Sequence, residues 1–121
     1  MRTVFTAIGD NMAYKSKRSR ACDIPQNVKE KVWERDGEKC IICGNNYAMP
    51  NAHFISRAHG GLGIEENIVT LCQNCHHAYD NTAQRPLYRE YIKSYLRGIY
   101  GAEWSEEKLT YKKFYDEFTH K

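Results

Sequence analysis

Apolar positions recur at helical spacing in an early and a late stretch of the chain, and at strand spacing in a short region between them. The early stretch carries Val28, Val32 and Trp33, with Lys29, Glu30, Lys31 and Glu34 filling the other positions. That is the pattern of a helix with one buried face. Asp23-Ile24-Pro25 reads as its start, Asp23 accepting backbone N–H bonds and Pro25 fitting the first turn. Arg35-Asp36-Gly37 ends it, with Gly37 suited to a left-handed cap. Its apolar stripe is expected to pack on the cysteine-bearing segment that follows. Ala52, Phe54 and Ile55 predict a short strand, preceded by Met49-Pro50-Asn51, and Asn67 to Leu71 predict its partner across a long glycine-rich loop. A helix should begin near Cys72 or Gln73 and fade by Asn81-Thr82, before Pro86. In the late stretch Leu87, Tyr91, Ile92, Tyr95 and Leu96 recur at three- and four-residue steps, and Gly98 and Gly101 should break that helix. Ser105-Glu106-Glu107 resembles a cap leading a final helix with Leu109, Phe114, Tyr115 and Phe118, and Trp104 anchors the join. Near the start, Val4-Phe5-Thr6-Ala7-Ile8 is at most a short strand.

A chain of 121 residues with this pattern predicts one small α+β domain. The charge changes the picture little. Lys and Arg outnumber Asp and Glu by 18 to 15, a balance that does not by itself imply nucleic acid. Lys15, Lys17, Arg18 and Arg20 are concentrated near the start, a run that is either a solvated arm or one that tracks a phosphate backbone. No apolar stretch approaches the roughly 20 residues of a membrane helix, and no secretory h-region stands at the start, so a cytoplasmic location without membrane attachment is expected. The tyrosines of the late stretch, Tyr88, Tyr91, Tyr95, Tyr100, Tyr111 and Tyr115, suit core packing, with base stacking or a partner surface as the alternative.

The cysteines change it a great deal. Four of the five form two pairs, Cys40-x-x-Cys43 and Cys72-x-x-Cys75. Zinc in a structural site takes four tetrahedral ligands, thiolates by preference, and a Cys-x-x-Cys turn presents two sulfurs to one side of a metal. Gly44 suits the tight turn after the first pair. The spacing therefore predicts one structural zinc fastening the segment before His53 to the helix after Leu71. Two redox dithiols or two disulfides are the competing reading, disfavoured by the absence of any sign of an oxidising compartment. Cys22 is left over as an unpaired thiol.

Between the pairs stand His53, the basic loop Arg57-Ala58-His59-Gly60-Gly61-Leu62-Gly63, and Asn67, with His76 directly after Cys75. The segment AHFISRAHGGLGIEENIVTLCQNCH resembles the ββα-metal motif of the HNH endonuclease family. The lead-in of helix, Arg-Asp-Gly and Cys-x-x-Cys is similar to that of many members, and the likeness is close to the small HNH proteins of bacteriophages and prophages. The resemblance covers roughly residues 25 to 82. It implies a ββα-metal core stapled by a four-cysteine zinc site and flanked by helices, divided as a basic arm (1–22), a nuclease core (23–82) and a helical extension (83–121). It further implies a metal-dependent DNA endonuclease in the cytoplasm of a bacterial host or phage-infected cell. Phage packaging proteins are partners that the likeness suggests; the oligomeric state is not readable.

By the same likeness His53 is the general base that deprotonates the attacking water. Asn67 bonds across the loop and holds His53 in its working orientation, and His76 holds a catalytic divalent metal (Mg, Mn, Ni or Zn). Phosphodiester hydrolysis needs an activated water and a cation at the developing charge, and a neutral imidazole suits the first task. One residue departs from the family pattern. Many members carry a second metal ligand just before the base, where this chain has Ala52. Two substitutes are open: Asp80, four residues after His76 and on the same helical face, which reads more readily as an ordinary solvent-facing carboxylate, or His76 alone holding a largely hydrated metal. Arg57, His59 and the cations at 15, 17, 18 and 20 are the candidate DNA contacts. His59 is otherwise an exposed loop residue, and His77, about a hundred degrees around the helix from His76, is solvated. Two non-catalytic readings stay open: a zinc-stapled DNA-binding module, suggested by Ala52, and a subunit of a larger complex, suggested by the aromatic tail.

Overall fold

A computed structural model describes residues 15–112 of the chain. The expected strand at Val4-Phe5-Thr6-Ala7-Ile8 and the aromatic positions Phe114, Tyr115 and Phe118 lie outside those residues. Six principal elements follow one another: α1 (Lys17–Cys22), α2 (Gln26–Arg35), β1 (Ala48–His53), β2 (Ile68–Cys72), α3 (Gln73–Asn81) and α4 (Arg85–Tyr100). Short 3-10 turns occupy Arg57–His59, Glu65–Asn67, Gly101–Glu103 and Glu106–Leu109.

The two strands form an antiparallel hairpin with Ala48 opposite Cys72 and His53 opposite Ile68. Met49, Pro50 and Asn51 belong to β1 rather than preceding it. The register slips between Met49 and Ala52, at the point where Pro50 has no N–H to give to a ladder. Asn67 sits in the turn before β2 instead of opening the strand. An isolated two-stranded hairpin is marginal in water, and this one is covered on both faces, so that every residue of β2 is buried. Val69 and Leu71 join Ala52, Phe54, Tyr79, Ile92, Leu96, Trp104 and Leu109 in one hydrophobic cluster. By strand alternation, Ile68 and Thr70 face the other way. There α2, with Val32 fully buried, lies against both strands and the turn Glu65–Asn67; its stripe was expected to pack on the cysteine-bearing segment.

Several local expectations give way to stronger partners. Asp23 does not cap α2. Pro25 occupies the cap position without a side-chain bond, and its carbonyl accepts from Val28 and Lys29. The Asp23 carboxylate goes instead to Lys15 at 2.8 Å and Arg57 at 3.0 Å. Gly98 lies on the exposed side of α4 and does not break it; Gly101, at φ 77°, does. A glycine inside a helix costs only about 1 kcal/mol relative to Ala, less than the packing of Ile92 and Leu96 supplies. Ser105 makes no side-chain cap bond, and the turn it precedes ends at Leu109. Trp104 is buried against Phe54, ring centroids 5.7 Å apart, and donates Nε1–H to the Glu66 carbonyl.

The end of α2 carries the most connected polar pair. The Arg35 guanidinium donates to both carboxylate oxygens of Asp36, to the carbonyls of Glu65 and Ile68, and to the Tyr100 hydroxyl. Asp36 is buried and also accepts from Tyr95 Oη at 2.6 Å and from the Thr70 amide at 2.8 Å. One pair thus ties α2, the turn before β2, β2 itself and α4. Burial and the bond to Asp36 push the Tyr95 hydroxyl pKa up, so it stays a donor. Removing one partner of a buried pair strands the other's charge, at a cost of about 3–5 kcal/mol. Asp36→Ala should therefore lower the stability of the chain by about that amount in urea unfolding, whereas Glu34→Ala, on the exposed face of α2, should change it little.

Candidate active site and metal centre

The sulfurs of Cys40, Cys43, Cys72 and Cys75 all lie within 4.8 Å of one another, and none is in a disulfide. Four thiolates around one zinc at about 2.3 Å stand about 3.8 Å apart along each tetrahedral edge, and Cys43 and Cys72 Sγ are 3.5 Å apart. The sequence brings the pairs together by two local devices. Gly44, at φ 80°, returns the chain after Cys43, and its amide donates to the Cys40 carbonyl. Cys72 is the cap of α3, its sulfur accepting from the Cys75 amide, at a helix end that favours negative charge. Burial works against ionisation of Cys40, yet amides of Cys43, Cys72 and Ile42 aimed at its sulfur bring its pKa down to about 7. The Cys75 thiol is pushed up by burial and by the sulfurs crowding it. A divalent cation is what such a cluster lacks when all four sulfurs are ionised, so the donor set fits zinc.

On the far side of β1, an open groove of about 1060 Å³ is lined by His53, His76, Asp80, Asn51, Arg57 and His59. Asp23, Lys29 and Arg85 also reach it. His53, the last residue of β1, is half-buried. Its Nε2 lies 2.9 Å from the Cys22 carbonyl at the end of α1. A carbonyl only accepts, so Nε2 carries the hydrogen and Nδ1 keeps the lone pair. Burial is the main cause that lowers the His53 pKa, against the Cys22 bond that raises it, with Arg57 and His76 adding to the lowering. The neutral imidazole is favoured.

Asn67 is fully buried and does not bond to His53. Its Oδ1 accepts from the Ile55 amide at 2.8 Å, and its Nδ2 donates to the carbonyls of Ile55 and Leu62. It closes the loop that follows His53. Gly61 is required there, because a Cβ would stand 1.6 Å from the Ile55 carbonyl oxygen and 2.9 Å from Asn67 Nδ2. The outer side of the loop is held from both ends of the chain. The Gly63 amide donates to the Ala21 carbonyl, and Arg18 donates to the carbonyls of Arg57 and Ala58. From the other end, Leu62 donates to Leu109 and Tyr111 to Gly60.

His76 and Asp80 are one turn apart on α3, with Nε2 and Oδ2 3.2 Å apart. An imidazole and a carboxylate side by side in an open groove are a donor pair suited to a divalent cation. Ala52 is fully buried in the hydrophobic cluster. Asn51, its neighbour, lines the groove with an enclosed Oδ1 that accepts no hydrogen bond.

Of the expected nucleic-acid contacts, Arg57 and His59 face the groove, His59 with its Nδ1 at 2.8 Å from Ser56 Oγ. Lys15, Lys17, Arg18 and Arg20 do not line it. Lys15 pairs with Asp23, Arg18 secures the loop, and Arg20 donates to the Lys15 carbonyl. The segment at 15–22 is thus a short helix docked on the core, with Cys22 buried. Lys29 and Arg85 are the groove cations that sequence reasoning missed. Their signal was faint: one sits on the polar face of α2 and the other opens α4 beside Pro86. His77 is exposed, 3.3 Å from Asn81 Nδ2, and outside the groove.

This combination of hairpin, glycine loop, helix-borne histidine and four-cysteine cluster is a ββα-metal arrangement. Residues 40–82 match the family model described as HNH endonuclease. At the level of that family, the match is to a nuclease of the metal-dependent, DNA-cleaving kind. No curated protein and no solved structure matches the chain. No helix among the described residues is long and apolar enough to cross a membrane.

The cysteine cluster gives a direct expectation. Purified reduced protein should carry about one tightly held zinc per chain, and Cys43→Ser should lose it and unfold or aggregate, since structural zinc contributes folding energy outright. Elemental analysis beside circular dichroism reads both; a folded, reduced, zinc-free wild type would contradict the assignment.

Proposed function

We propose that the protein is a metal-dependent DNA endonuclease in which His53 is the general base and His76, with Asp80, holds the catalytic cation. The observation that carries this is the bond from His53 Nε2–H to the Cys22 carbonyl. It orients a ring whose neutral form is favoured and leaves Nδ1 as a proton acceptor in the groove that His76 shares. His53 takes a proton from water at Nδ1 as that water attacks phosphorus. Arg57, Lys29 and Arg85 line the same groove and offer charge to the phosphodiester backbone. Asn67 acts on the loop, keeping Ile55 and Leu62 in place and so fixing the chain on which Arg57 stands. A divalent cation held by His76 and Asp80 would neutralise charge developing on the phosphate and the leaving oxygen.

The basic run at 15–20 supports DNA binding indirectly, from behind the groove: Lys15 pairs with Asp23, and Arg18 holds the carbonyls of Arg57 and Ala58. A zinc-stapled DNA-binding module without catalysis is the second reading, and the buried Ala52 is what favours it.

Nicking of supercoiled plasmid across Mg, Mn, Ni and Zn separates the two. His53→Ala should lower the rate about 10²–10⁴-fold while sparing fold, zinc content and DNA binding. His76→Ala should remove the metal dependence and keep the cysteine-bound zinc. Asp80→Ala should shift the metal titration to higher concentration. The base works when neutral, and its pKa is lowered in the fold. The rate should accordingly rise with pH through an apparent pKa below the ordinary imidazole value of about 6.5 and then level off. A wild type that binds DNA but does not cleave it with any of the four metals would favour the module, and His53→Ala cleaving at the wild-type rate would remove His53 from the mechanism.

A further inference from the structure

Asn51 has no part in the family's usual ligand pattern, yet it lines the groove, and its amide oxygen is buried and left by the protein without a donor. Asn51 Oδ1 is enclosed and accepts no hydrogen bond, a condition it shares among the described buried side chains only with Thr70 Oγ1, which lies inside the core. Buried polar atoms are nearly always paired, and an orphan is commonly explained by a water or an ion. Asn51 lines the main groove with His53, His76 and Asp80, and it also lines the smaller neighbouring groove, again with His76. Asn51 and His76 therefore form the partition between two grooves, one on β1 and the other on α3.

The bulge explains how the residue came to be there. Side chains two apart on a strand share a face, so Asn51 lies on the His53 side while Ala52 turns into the hydrophobic cluster. The register slip at Met49 to Ala52 is the kind of irregularity that re-aims a side chain beside a site. A charged ligand at position 52 would sit among Phe54, Val69 and Tyr79, where nothing could solvate it.

We propose that Asn51 Oδ1 is a ligand of the divalent cation held by His76 and Asp80, one position upstream of the family's usual ligand. The inference rests on the reading of His76 as a metal-holding residue. An amide oxygen is a hard, neutral donor. With one imidazole nitrogen and one carboxylate oxygen it makes a set that suits Mn²⁺ or Mg²⁺. Three protein donors leave the remaining octahedral positions to water and phosphate oxygens. The single carboxylate leaves the bound cation with net positive charge for an anionic substrate.

The test uses the full chain with its cysteine-bound zinc in place and no DNA. Free Mn²⁺ is titrated in and followed by electron paramagnetic resonance. Wild type should bind one Mn²⁺ beyond the zinc. Asn51→Ala should weaken that affinity about tenfold or more, with zinc content and circular dichroism unchanged. Asn51→Asp, which places a charged oxygen at the same point, should bind at least as tightly as wild type; this arm decides the matter if alanine disturbs the bulge. Asn51→Ala binding Mn²⁺ like wild type while His76→Ala does not would overturn the inference and leave the His76 reading standing. So would Asn51→Asp binding no better than the alanine variant. A wild type that takes up no Mn²⁺ would overturn both.

Discussion

A half-buried arginine and the buried aspartate beside it hold the hairpin in place. β1 and β2 alone could not persist in water, and the metal cluster fastens only the end of the hairpin where Ala48 pairs with Cys72. The other end, where His53 pairs with Ile68, is held by Arg35. Its guanidinium takes the Ile68 and Glu65 carbonyls while Asp36 takes the Thr70 amide. Those are backbone groups of β2 and of the turn that carries Asn67. The two clamps act on opposite ends of one strand pair, and His53 sits at the end secured by Arg35. The four-cysteine cluster and the ion pair therefore divide the work: one fixes where α3 starts, the other fixes where the loop returns.

The segment 40–82 does not build the site alone. The Cys22 carbonyl that sets the His53 tautomer, the Asp23 carboxylate that steers Arg57 and the Ala21 carbonyl that takes the Gly63 amide all come from before it. Leu109 and Tyr111, which hold the loop's other side, come from after it. Gly63 records how tight this docking is, since a Cβ there would stand 1.9 Å from the Asp23 carbonyl oxygen. The loop is rigid by virtue of neighbours distant in sequence, and the basic run at 15–20 owes its place to that packing as much as to its charge.

What was legible in the sequence was what depends on local spacing. Two Cys-x-x-Cys pairs imply a four-sulfur cluster because each turn presents its own two ligands, and the cluster is present. The helix from Gln73 to Asn81 and the left-handed Gly37 follow from equally local rules. Where two distant groups compete for one partner, the sequence was silent. Asp23 looks like a cap until Lys15 and Arg57 are found beside it. Arg35-Asp36-Gly37 reads as a helix ending, and nothing local says that its charges are buried under Tyr95 and Tyr100. Asn67 was expected to bond across the loop and so hold His53; its bonds do cross the loop, to Ile55 and Leu62, while the ring itself meets a backbone carbonyl thirty-one residues upstream that no local rule announces. Asn51 passed unnoticed because a strand bulge cannot be read from Met-Pro-Asn alone.

The charge balance of the groove bears on how substrate and cation meet. Three cations, Lys29, Arg57 and Arg85, line it against two carboxylates, Asp23 and Asp80. Asp23 is already engaged by Lys15 from outside the groove, and its pKa is held below the usual carboxylate range by the bonds to Lys15 and Arg57. With Ala52 apolar and Asn51 neutral, Asp80 is the one carboxylate left to balance the rim. A cleft of that composition attracts a polyanion before any divalent cation arrives, whereas a carboxylate-rich cleft would need the cation first. On the proposed reading, DNA affinity and metal affinity are separable: the first would rest on the rim cations and weaken with salt, and the second would rest on the few donors around His76.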